Sequence, residues 1–73
     1  MKIWYDREVD VIRIIFSNNP IEESDEDKPG IVIDYDSEGN IVGIEILEAS
    51  KRMEKPASVE FEIAGWAEGV YYN

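Results

Sequence analysis

Two stretches of alternating apolar and polar residues, thirty positions apart, constrain the fold more than any other feature of the chain. Tyr5-Asp6-Arg7-Glu8-Val9-Asp10-Val11-Ile12 aligns with Tyr35-Asp36-Ser37-Glu38-Gly39-Asn40-Ile41-Val42. The same offset matches Ile3 with Ile33, Ile14 with Ile44 and Phe16 with Ile46. Each copy reads as strand, polar turn, strand. Two copies are too few for a solenoid, so the pattern predicts two β-hairpins sharing one antiparallel sheet.

Side chains alternate across a strand, which assigns faces. Ile3, Tyr5, Ile12, Ile14 and Phe16 fall on one face of the first hairpin. Ile33, Tyr35, Val42, Ile44 and Ile46 fall on the equivalent face of the second, and together these make the core. The opposite faces differ. The second hairpin shows Asp34, Asp36, Gly43 and Glu45, a wet surface, whereas the first shows Trp4, Val11, Arg13 and Ile15. A half-apolar patch around Trp4 and Ile15 calls for a cover: a strand at Val59–Ile63, the aromatic tail or a second copy. The turns differ as well. Gly39 suits the positive φ of a hairpin loop, and Val9 in the matching place does not, which predicts a wider turn there.

Five acids occupy six positions from Glu22 to Asp27, namely Glu22, Glu23, Asp25, Glu26 and Asp27, and Lys28-Pro29-Gly30 then signals a turn. The run reads as a solvated loop, or as a lure for a basic partner. Leu47 to Glu54 reads as a short helix that stops before Pro56, with Leu47 and Met53 toward the core. Lys51, Arg52 and Lys55 near its end complement the helix dipole. Val59, Phe61 and Ile63 alternate with Ser58, Glu60 and Glu62 and predict a fifth, edge strand. An aromatic tail, Trp66 to Asn73, follows. The expected fold is thus α+β: one 73-residue domain with an antiparallel β-meander of four or five strands built from two similar hairpins, plus one short helix.

Composition narrows the chemistry. There is no cysteine and no histidine, so disulfides, thiol nucleophiles, zinc fingers and Ser-His-Asp triads are excluded. Seventeen acids against seven bases give a net charge of −10. That charge disfavours nucleic acid and anionic membranes and favours a basic protein partner. No apolar run fits a membrane span or a leader, so a cytoplasmic protein is expected. Asp6, Glu8 and Asp10 have D-x-E-x-D spacing but lack the glycine and distal glutamate of an EF-hand loop. Asp34, Asp36 and Glu45 form a carboxylate face, and the alternative reading of the chain is a small cation- or ligand-binding domain that uses it. Turn carboxylates more commonly accept backbone N–H bonds, and so small a domain has little room for a pocket. No catalytic residue, metal site or cofactor is therefore assigned, and the chain is not expected to be an enzyme. The expected role is a self-associating, homodimeric interaction module, whose partner-binding residues are Glu22, Glu23, Asp25, Glu26, Asp27, Trp4 and Ile15.

Residues 1–53 resemble a known family. Pro29-Gly30-Ile31-Val32-Ile33-Asp34-Tyr35-Asp36, then Gly39, then Val42-Gly43-Ile44-Glu45-Ile46-Leu47 and Ala49-Ser50, resemble the hallmark of the small prokaryotic proteins called DUF2283. The opening Tyr5-Asp6-x-Glu8-x-Asp10 is similar to that family's start, while the residues from Pro56 onward lie beyond the resemblance. The family's function is unknown. Some members stand beside genes for small toxin-like proteins, and the resemblance thereby implies an antitoxin-like neutraliser of a basic partner.

Overall fold

The computed structural model describes residues 1–65. The aromatic tail from residue 66 to 73 lies outside the described residues. Five strands follow in order: β1 (Lys2–Asp6), β2 (Val11–Ile15), β3 (Glu23–Lys28), β4 (Ile31–Tyr35) and β5 (Ile41–Ile46). One helical turn, α1 (Ala49–Arg52), comes after them. All pairing is antiparallel, in the spatial order β1-β2-β5-β4-β3. The fold is α+β, as expected. A hairpin (β1-β2) and a three-stranded meander (β3-β4-β5) join along β2 and β5. That seam pairs Ile12 with Ile46 and Ile14 with Ile44, β-branched residues that pack well on a pleated surface.

Cross-strand rows define the two faces. One face carries Ile3–Ile14–Ile44–Ile33–Asp25 and, beside it, Tyr5–Ile12–Ile46–Ile31–Lys28. The other carries Trp4–Arg13–Glu45–Val32–Glu26 and Lys2–Ile15–Gly43–Asp34–Ser24. The predicted assignment of the isoleucines to one face is correct. The core is thin, however: Ile12, Val42 and Ala49 are the buried apolar residues among those described.

Four expectations need correction. The acidic run is not a loop, because Glu23–Lys28 is an edge strand paired with β4. Pro29-Gly30 is a two-residue turn that delivers the chain straight back onto β4. Gly30 takes the positive φ (84°) that a type II turn needs at its second central position. An edge strand exposed on both faces needs no apolar residue, so poor β-propensity does not prevent it.

Conversely, residues 58–63 form no strand, and Val59, Phe61 and Ile63 are exposed. Alternation marks a one-sided segment, but a strand also needs a ladder partner, and residues 58–63 pair with neither edge strand of the sheet, β1 or β3. The segment therefore does not enter the sheet beside Trp4, which is 51% exposed.

The helix is shorter than the predicted Leu47–Glu54. It is preceded by Glu48 at φ 52° and gives way to extended backbone at Met53. Leu47 and Met53 are half-buried, and Ala49 is the residue that packs fully.

The first hairpin loop is tighter, not wider, than the second: it spans residues 7–10 against 36–40. Its left-handed position is Asp10 (φ 58°), one place after Val9, and aspartate tolerates that conformation far better than valine.

Candidate functional site

Aspartates at the loops organise the polar structure. Asp6 and Asp36 open the two matched loops in the same way: the Glu8 amide donates to Asp6 Oδ1 (3.0 Å) and the Glu38 amide to Asp36 Oδ1 (2.9 Å). These are Asx turns, the local bonding that turn carboxylates favour. Asp36 does more. It also accepts the Asn40 amide (2.9 Å) and Asn19 Nδ2 (3.2 Å), so it ties the β2–β3 connection to the second loop. The Asn40 amide, then the other donors, hold its carboxyl below the ordinary value, against burial that opposes this.

Asp10 fastens the helix. The Ser50 hydroxyl donates to Asp10 Oδ2 (2.6 Å), while the Ser50 amide (3.0 Å) and the Tyr5 hydroxyl (2.8 Å) donate to Oδ1. The Ala49 amide donates to the Asp10 carbonyl (2.9 Å). Glu48 makes no side-chain cap at this helix start, so a residue forty positions earlier supplies it. The Ser50 hydroxyl and then the Tyr5 hydroxyl hold the Asp10 carboxyl low, and the same bond to Asp10 pushes the Tyr5 phenol up. D-x-E-x-D is thus a turn and capping motif here.

The supposed carboxylate face is not wet. Asp34, Asp36 and Gly43 are buried. The connection from Ser17 to Ile21 lies over Asp34 and Gly43, with Ile15 half-buried beside it in a hollow of about 100 Å³. Asp34 accepts Ser24 Oγ (2.5 Å) and lies 3.9 Å from Arg13, whose other nitrogen is 3.5 Å from Glu45. Gly43 leaves the room for this, since a Cβ there would sit 3.1 Å from the Ile14 carbonyl and 3.5 Å from Asp34 Oδ2. Among the described residues no three carboxylates converge to hold a metal ion. Asp34, Asp36 and Glu45 are committed to protein partners instead.

The structure does not bring the predicted partner-binding residues together. Trp4 lies on β1, one edge of the sheet, and Glu23, Asp25, Glu26 and Asp27 lie on β3, the other edge. Four strand spacings separate them, roughly 19 Å. The acids also divide between faces: Glu23 and Asp25 share the isoleucine side, and Glu26 shares the Trp4 side. Glu26 additionally accepts the Gly30 amide (2.8 Å). All six residues of β3 are exposed, and the outer side of its ladder has no partner among the described residues. Around Trp4, a second hollow of about 190 Å³ is lined by Asp6, Val9, Val11, Arg13 and Glu45. Lys2 Nζ stands 5.3 Å from the Trp4 ring centroid.

Sequence reasoning did not find the Tyr5–Asp10–Ser50 cluster or the Arg52 clamp on the β3–β4 turn. Arg52 Nη2 donates to the Pro29 carbonyl (2.5 Å) and Nε to the Leu47 carbonyl (3.1 Å). Pro29-Gly30 was the one available signal for β3, since so short a turn implies a strand on each side.

The family model described as protein of unknown function (DUF2283) matches residues 2–50, about two thirds of the chain. No curated protein and no solved structure matches. The matched stretch begins with β1 and ends at Ser50, so it contains both partners of the Asp10–Ser50 fastening. Among the described residues, no helix is long and apolar enough to cross a membrane.

Proposed function

Because the chain belongs to the DUF2283 family of proteins of unknown function, whose description assigns no chemistry, we propose its role from its own surface. It is a non-catalytic interaction module that takes an extended, basic segment of a protein partner along β3. The observation that carries this reading is the open, fully exposed edge strand Glu23–Lys28. An open edge offers unpaired backbone donors and acceptors, which an incoming strand can satisfy. Four acids in six residues decide which strand can come. Two such edges repel each other, so self-pairing is discouraged, while a lysine- or arginine-rich strand is attracted and steered. A partner built to hold RNA would carry such cationic segments. Masking one of them is the antitoxin-like form of this role.

A peptide of alternating lysine and valine tests the reading. Titrated into isotope-labelled protein, it is expected to shift the β3 amides first, more strongly at low salt. Replacing Glu22, Glu23, Asp25, Glu26 and Asp27 with glutamine or serine should slow association, chiefly through the on-rate. Shifts located away from β3, or an unchanged rate for the neutralised variant at low salt, would overturn it.

A further inference from the structure

We propose that the isoleucine row Ile3–Ile14–Ile44–Ile33 is the seat of a second copy of this chain. The four side chains are directly paired neighbours across β1, β2, β5 and β4, so they form one continuous apolar strip. None of them is buried. Ile3 and, two residues beyond Ile14, Phe16 are each 43% exposed. Among the described residues, the helix and the segment after it cover only the adjacent row. Ile12 there is 6% exposed, and Tyr5 lies beside Lys55, Pro56, Ala57 and Ser58. A sheet that is apolar on one face needs a second layer, and one helical turn is too small to supply it.

The chain exposes 6149 Å², against roughly 4,600 Å² for a compact monomer of this mass, an excess summed over the chain rather than located at this row. Part of it belongs to the extended stretch after Met53, which leaves Val59, Phe61 and Ile63 exposed as well.

Charge singles out the occupant. From β1 to β4 the row holds no ionisable group, and the first one met is Asp25 at the β3 edge. An uncharged apolar strip meets a second copy of itself about a two-fold axis without like-charge repulsion. Two sheets stacked face to face, about 10 Å apart, bury both rows. The acidic β3 edges stay at the rim, where water and salt screen them. The interface is independent of the β3 edge, so either assignment can fail alone.

Sedimentation of the full 73-residue chain tests this over about 1 to about 200 µM, a range that spans ordinary dimer dissociation constants. The expected mass is twice 8.4 kDa, with tighter association as salt rises. Ile3→Lys and Phe16→Lys should each weaken the dimer at least about 10-fold by burying an unpaired charge, with the far-UV circular dichroism retained. Trp4→Lys, on the opposite face, should leave it unchanged. In a mixture of labelled and unlabelled copies, methyl contacts between copies should involve Ile3, Ile14, Ile33 and Ile44. This second measurement does not depend on any variant folding. A monomer at the highest concentration would overturn the proposal, whatever else covers the row. So would a dimer weakened by Trp4→Lys and not by Ile3→Lys, or inter-copy contacts confined to the Trp4 face.

Discussion

Asp10 ends a hairpin loop in a left-handed conformation and spends its carboxylate on a helix that the chain reaches forty residues later. Both jobs suit aspartate: its short polar side chain tolerates positive φ, and its two oxygens accept several donors at once. Asp10→Asn keeps the first property and part of the second. Asp10→Ala loses both and should destabilise the fold more. The linkage has a definite sign. Because the folded carboxyl titrates below its ordinary 3.8, its contribution is complete above that value and is lost as pH falls through the folded one. Tyr5 works in the opposite sense. Its phenol is raised above 10.0, so its contribution is present below that and lost as pH rises through the raised value. Thermal melts at about pH 7 and about pH 2.5 check the acid limb, since the gap between wild type and Asp10→Asn should close on the acid side. A gap of equal size at both would remove the carboxylate from the account. Nothing in the sequence pairs Asp10 with Ser50. Their meeting depends on where the β-sheet delivers the helix.

At the scale of elements, two turns share one backbone requirement and differ in their neighbours. Gly30 (φ 84°) and Gly39 (φ 83°) both occupy the left-handed region. A Cβ on Gly39 meets nothing within 4 Å, whereas one on Gly30 collides with the Arg52 guanidinium. Gly39→Ala should therefore cost about 1 kcal/mol, from backbone strain alone. Gly30→Ala should cost that plus the displaced Arg52 bonds to Pro29 and Leu47, about another 1 kcal/mol. Urea denaturation separates the two. Equal costs would mean that the Arg52 clamp adds no stability. Val9→Gly, at a position with no positive φ, should change stability much less than either. Turn residues were readable because their preference is local. The strand at Glu23–Lys28 was not, because its residues disfavour strands and only β4, waiting with an open side, makes one of them.

The described strands form a single sheet, and the chain carries ten net negative charges. Repulsion among them opposes the compact state, and salt screens it over about 10 Å at 0.1 M. Melting temperature at fixed protein concentration should accordingly rise from low salt to about 0.3 M. A steady fall over that range would mean that the ion pairs, Arg13 with Glu45 and Lys51 with Glu48, outweigh the repulsion. Such exposed pairs usually contribute little.

Periodicity by itself determined which isoleucines share a face, that two hairpins exist, and that Gly39 turns the second of them. Those features follow from backbone geometry and act within a few residues. The tertiary structure alone decided which segment becomes the fifth strand. Acidic Glu23–Lys28 enters because a two-residue turn returns it to β4 at little entropic cost, and apolar Val59–Ile63, with no such turn beside it, pairs with no strand. It alone also decided that Asp34 and Asp36 are buried rather than wet, because the Ser17–Ile21 connection closes over that end of the sheet. Alternation reports which residues could face a core, whereas long-range pairing sets what is there to cover them.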